Sequence, residues 1–191
     1  LFKPRHTHMA CVSWEERHRP QQQLYDAVTD YVRDGYNQAL REKKRHIGFL
    51  MILMQRLVTS STRAILTTLE RREAVLKGVE TRDRQLSLRL DAANGTDAEI
   101  QELYDMDGQE LLDELLSRVS AHQFERSHVG TLLEAARVCE QAGPDAKTEA
   151  LIDWIYRLQA EENEPDLKVL IFTEFVPTQE MLKEFLEARG I

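Results

Sequence analysis

Apolar residues recur along this chain with three different rhythms, and each predicts a different element. Leu24, Val28, Tyr31, Val32, Gly35, Tyr36 and Ala39 fall at helical spacing after Pro20, which predicts an amphipathic helix over about 24–40. Residues 47–58 are apolar nearly all round, as in a helix buried on every side. Ser60, Ser61 and Thr62 supply cap chemistry for a third helix, whose stripe reads Ile65, Leu69, Leu76, Val79, Leu86 and Leu90, with Arg72 and Asp83 filling its gaps. The near-heptad spacing predicts a long antiparallel hairpin of 64–90 against 24–40, with Val28, Tyr31, Ile65, Leu69 and Leu76 buried. The helix over 47–58 would fold back between the two arms.

The second half is less regular. Asp91 to Asp107 is acidic, weakly apolar and contains an Asn94-Gly95 turn dipeptide, so it reads as a connector. Short helices are predicted over 109–119 and 129–142. Gly143 is placed to end the latter, and Asp145 to cap a helix running to about Leu158. Glu161 to Asp166 reads as a polar loop. Val169, Leu170, Ile171 and Phe172 then form a continuous apolar run, the signature of a strand buried on both faces. Pro177 and the stripe Met181, Leu182, Phe185 and Leu186 predict a helix immediately after it. Strand, turn, helix is half of a parallel crossover, and the chain stops at Ile191 where the next strand is expected. The expectation is therefore a piece of a larger α/β protein. At the other end, residues 1–14 alternate weakly with period two and read as extended.

Composition narrows the class. With 42% apolar and 30% charged residues, the 191-residue chain can pack a core. No stretch reads as a signal peptide or a membrane span. Two lone cysteines, Cys11 and Cys139, fit a cytoplasmic, reducing setting. The net charge of −8 is unevenly spread: residues 1–89 hold 17 Lys/Arg against 10 Asp/Glu, and residues 90–191 hold 8 against 23. A basic first half could meet phosphate, although solvated helix faces alone also produce such a bias.

Candidate chemistry is sparse. No phosphate-cradling glycine loop and no Asp-Glu box after an apolar strand occurs, so no catalytic and no nucleotide-binding residue is assigned. His6 and His8 share a face if residues 1–14 form a strand, but no second pair completes a metal site, and no metal ligand is assigned. Asp105-Met106-Asp107-Gly108 brings its glycine too early for a calcium loop. Arg41 to His46, with Lys43 and Lys44 at its centre, is the densest basic cluster. It reads as a nucleic-acid contact or as a solvated helix end.

Three stretches together carry a resemblance. Lys168-Val-Leu-Ile-Phe172 followed by Thr173, Glu174 and Phe175 resembles motif IV, the first strand of the second RecA-like lobe in Swi/Snf-type ATPases. These are superfamily-two helicase relatives that include the bacterial RapA-like branch. Gly143 to Leu151, with Lys147, is similar to the helix that precedes that strand. Gln23 to Val28 is similar to the helix that follows the first lobe. The middle of the chain matches only loosely.

The resemblance implies a mainly α chain: a helical hairpin or bundle insertion followed by the first strand-helix unit of a truncated RecA-like α/β lobe. Residues 1–20 would leave the first lobe, 21–142 would form the helical insertion and 143–191 would begin the second lobe. The parent would translocate on double-stranded DNA, with ATP and magnesium bound outside this segment and a protein complex on the DNA as its target. Lys147, Thr173 and Arg56 would be nucleic-acid contacts, and the basic cluster adds Lys43 and Lys44 as further candidates. Homodimerisation through an uncovered strand, burial of that strand on the chain's own helices, or its pairing with residues 7–13 is expected in its absence. The competing readings are a stand-alone helical protein-interaction module and a helical nucleic-acid-binding module.

Overall fold

The computed structural model describes residues 7–42, 45–81, 109–110, 116 and 123–191. A single 3-10 turn at Glu16–His18 leads into α1 (Arg19–Glu42), followed by α2 (Arg45–Ser60) and α3 (Thr62–Thr81). Then come α4 (Gln123–Ala142), α5 (Ala146–Glu162) and α6 (Val176–Glu187).

α1 and α2 run antiparallel. Thr29 meets Gln55, Gly35 lies against Met51 and Tyr36 lies against Gly48, so residue numbers fall on one helix as they rise on the other. A Cβ at Gly35 would stand 2.5 Å from the Met51 sulfur, which is why the smallest residue occupies this crossing. α3 and α4 are likewise antiparallel, since Thr62 meets Cys139 and Arg137 meets Glu70.

One core joins these four helices. Leu24 and Val28 from α1, Leu50, Leu53, Met54 and Leu57 from α2, and Ile65, Leu69 and Leu76 from α3 are buried together with Val129, Leu132, Leu133 and Ala136 of α4. The residues expected to be buried are buried, with Tyr31 only partly so. Their pairing differs from the expected hairpin. α1 packs on α2 and α4, while α3 packs on α4 and α2, so α4 takes the place across from α1 that α3 was expected to hold. The small-and-branched stripe of α4 permits this close approach, and its distance from α1 in sequence hid it. Arg72, which fills a gap in the α3 stripe, is fully buried and partnered. Residues 82–90 of the expected helix and the 91–107 connector lie outside the described residues.

Among the described residues there is no strand. Residues 7–15 are irregular and exposed, held at His8 against the Trp154 ring and at Trp14 against Tyr25. Residues 167–173 also make no ladder, so the predicted strand of the strand-helix unit is not formed. Leu170 is 78% and Phe172 86% exposed. Neither burial against the chain's own helices nor pairing with residues 7–13 occurs. A parallel strand needs neighbours on both edges, and these residues have none here. The helix after it is present as α6, with Pro177 in its first turn.

Candidate functional site

Ser61 alone separates α2 from α3, and the polar groups freed by that break organise a buried site. The first N–H groups of a helix lack intrahelical acceptors. Here Ser61 Oγ accepts from the Ala64 N–H at 3.0 Å, the cap expected from Ser60-Ser61-Thr62. The Thr62 N–H donates to Asp145 Oδ2 at 2.9 Å, and the Thr62 hydroxyl donates to Asp145 Oδ1. Asp145 precedes α5, yet its side chain makes no cap bond there; it spends both oxygens on the start of α3. A carboxylate at a helix N-terminus is favoured by the dipole as well as by the bonds. The open N–H of Ala146 is taken instead by Gln21 Oε1 at 3.0 Å.

The same node fixes the protonation of a thiol. Thr62 has one hydroxyl proton and gives it to Asp145, so the contact of Cys139 Sγ with Thr62 Oγ1 at 3.3 Å has the S–H as donor. Burial pushes the Cys139 thiol up from its ordinary value, consistent with that assignment.

α6 is seated on this junction. Thr178 Oγ1 lies 2.9 Å from Ser60 Oγ and 2.8 Å from Ser61 Oγ, and Phe175 just before α6 is fully buried. Arg63 binds Glu140 and reaches Glu184 on α6 at 3.4 Å; the hydrogen bond to Glu140 raises its already high pKa. On the opposite flank, the chain's entry is tied to α5. His18 Nδ1 accepts from the Glu15 N–H at 3.2 Å, so the neutral ring carries its proton on Nε2 and donates to Glu149 Oε2 at 3.0 Å. Arg17 meets the same oxygen at 2.9 Å.

Three of the five predicted contact residues gather at the C-terminal end of α2. Lys147 Nζ donates to the Thr59 carbonyl at 3.0 Å, a cation on the negative end of the helix dipole. Arg56, one turn earlier, is paired with Glu174, and half-buried Thr173 is the neighbour of Glu174. Lys43 and Lys44 lie outside the described residues. Sequence reading missed Thr178, Gln21 and the Asp145–Thr62 pair, because a side chain that caps a distant helix leaves no local signature. Among the described residues, no group of His, Cys, Asp and Glu is arranged to hold a metal ion, and no helix is long and apolar enough to cross a membrane. In comparisons with known proteins, no family model, no curated protein and no solved structure matches this chain.

Proposed function

We propose that this chain is the connecting region of a Swi/Snf-type, RapA-like DNA translocase. Its helices serve as a brace, and residues 168–187 serve as the opening strand and helix of the second motor lobe. One observation carries the reading. Residues 168–173 run without helix or strand between α5 and the buried Phe175, while Leu170 and Phe172 stand in solvent. Exposing such side chains forgoes about 1.5–3 kcal/mol each, which favours a segment whose natural neighbours are the strands of a sheet. The motif-IV-like sequence of the same residues supports it, as does the helix that follows.

In this reading ATP and magnesium bind to parts of the motor outside this segment, and hydrolysis is a property of the whole motor. Lys147, Arg56 and Thr173 lie where the brace meets the second lobe, and there they would face the DNA backbone. Phosphate contact needs placed cations rather than a base-reading geometry. Lys147→Ala in the protein expressed from the complete reading frame is expected to weaken duplex binding for all sequences alike and to lower the salt dependence by about one counterion. An unchanged salt slope would remove Lys147 from the interface. The helical interaction module remains a second reading, favoured by an open apolar groove between α1 and α2.

A further inference from the structure

Five consecutive residues at the start of α5 each bond a different part of the chain. Asp145 takes the Thr62 N–H and hydroxyl of α3, and the Ala146 N–H goes to Gln21 of α1. Lys147 reaches the Thr59 carbonyl of α2. The Thr148 hydroxyl meets Met181 Sδ of α6 at 3.7 Å, and Glu149 Oε2 is held by His18 and Arg17 of the entry turn. Asp145, Ala146 and Thr148 are buried. Successive residues step about 100° round a helix axis, so a single turn can hold partners on every side. The entry turn and α6 are far apart in sequence, and among the described residues they share no hydrogen bond or ion pair of their own. Their partners on α5, Glu149 and Thr148, are adjacent.

We infer that the first turn of α5 couples the entry of the chain to α6, so that releasing Glu149 from His18 and Arg17 loosens α6. The Glu149 side chain is only 25% exposed, and a carboxylate so placed needs its donors. Without them it turns toward water, and the end of a helix is the part that frays. Thr148, one residue away, then leaves Met181. A thioether is a weak acceptor, so this contact counts mainly as packing. It matters because α6 is seated chiefly by its start, through Phe175 and Thr178. Further along, Met181, Leu182, Phe185 and Leu186 are only partly covered, and the Glu184 pair with Arg63 is a surface one of little worth. Coupling between two sites is reciprocal, so unseating α6 loosens the entry turn in return. Residues 7–15 ahead of that turn are exposed, and a partner gripping them would be felt at α6. In the motor reading this would join the chain leaving the first lobe to the first helix of the second, but the coupling does not rest on that reading.

Amide hydrogen exchange, followed residue by residue in this chain, tests the coupling. Arg17→Ala with His18→Ala removes both donors and leaves α5 and α6 unaltered. Exchange of the α6 amides from Gln179 onward is expected to rise at least about fivefold, the low end of coupling between sites. Amides of α3 and α4 should stay within about twofold, because the opening is local. Thr178→Val removes the hydroxyl that meets Ser60 and Ser61. It should speed exchange of the Glu15 and His18 amides, which are bonded to His18 Nδ1 and the Glu15 carbonyl. In a Thr148→Ala background, Arg17→Ala with His18→Ala should add less than about half of its effect on α6, since the link is already cut. Arg137→Ala, whose ion pairs are with Glu70 and Glu134, should move neither set of amides. Circular dichroism identifies any variant that fails to fold; if the double variant does, Arg17→Ala alone, at a 61% exposed side chain, makes the same test. The inference is overturned if α6 exchange in the folded variant is unchanged, or if α3 and α4 speed up as much as α6. It is also overturned if Thr178→Val leaves the Glu15 and His18 amides unmoved, or if the Thr148→Ala background preserves the whole effect.

Discussion

Asp145 and Cys139 show how single residues take roles that their neighbours in sequence do not announce. Asp145 sits where an N-cap of α5 belongs, yet it closes the start of α3, more than eighty residues away. Asp145→Ala would strand the Thr62 N–H and hydroxyl in a buried place. A buried bond to a charged group is worth about 1.5–3 kcal/mol, so chemical denaturation should record a loss of that order. Cys139 gives a prediction with a definite sign. Its thiol is raised above the ordinary 9.0, so the folded state binds the proton more tightly than the unfolded state. The resulting stabilisation is full below pH 9 and is lost as pH rises through the folded value. Wild-type stability should therefore fall on an alkaline limb starting near the ordinary 9.0, and Cys139→Ala should lack that component of the slope. A thiol reagent at pH 8 should modify exposed Cys11 well before buried Cys139.

At the scale of elements, hydrophobic periodicity located the helices and the side chains they bury, but left their partners open. The stripe of Leu24 and Val28 and that of Ile65 and Leu69 were legible because burial on one face forces a 3.6-residue period. Which stripe meets which depends on connections and on residue volume. α4 displaced the expected α1–α3 pairing, and nothing local in Val129, Leu132, Leu133 or Ala136 names a partner. Arg72 lies in the α3 stripe and is buried with it, although a charged residue there is ordinarily solvated. Leu69, fully buried between helices, tests the packing: Leu69→Ala should cost about 2–5 kcal/mol in a thermal or denaturant melt. A cost below about 0.5 kcal/mol would place Leu69 outside the core.

Across the whole molecule, the candidate site was only half legible. Lys147, Arg56 and Thr173 do converge near the C-terminal end of α2, while Lys43 and Lys44 lie outside the described residues. The apolar run 169–172 was expected to be a strand, and no strand forms there among the described residues; pairing between strands is a property of their neighbours and leaves no trace in the run itself. Those exposed side chains, seated beside a polar junction that grips α6 through Thr178, underlie the motor reading. That reading is tested most directly by ATP hydrolysis in the protein expressed from the complete reading frame, measured with and without duplex DNA. The account predicts hydrolysis that duplex DNA stimulates and that Leu170→Asp with Phe172→Asp abolishes, by putting charge into the completed sheet. A full-length protein that folds but hydrolyses no ATP in the presence of duplex DNA would contradict it.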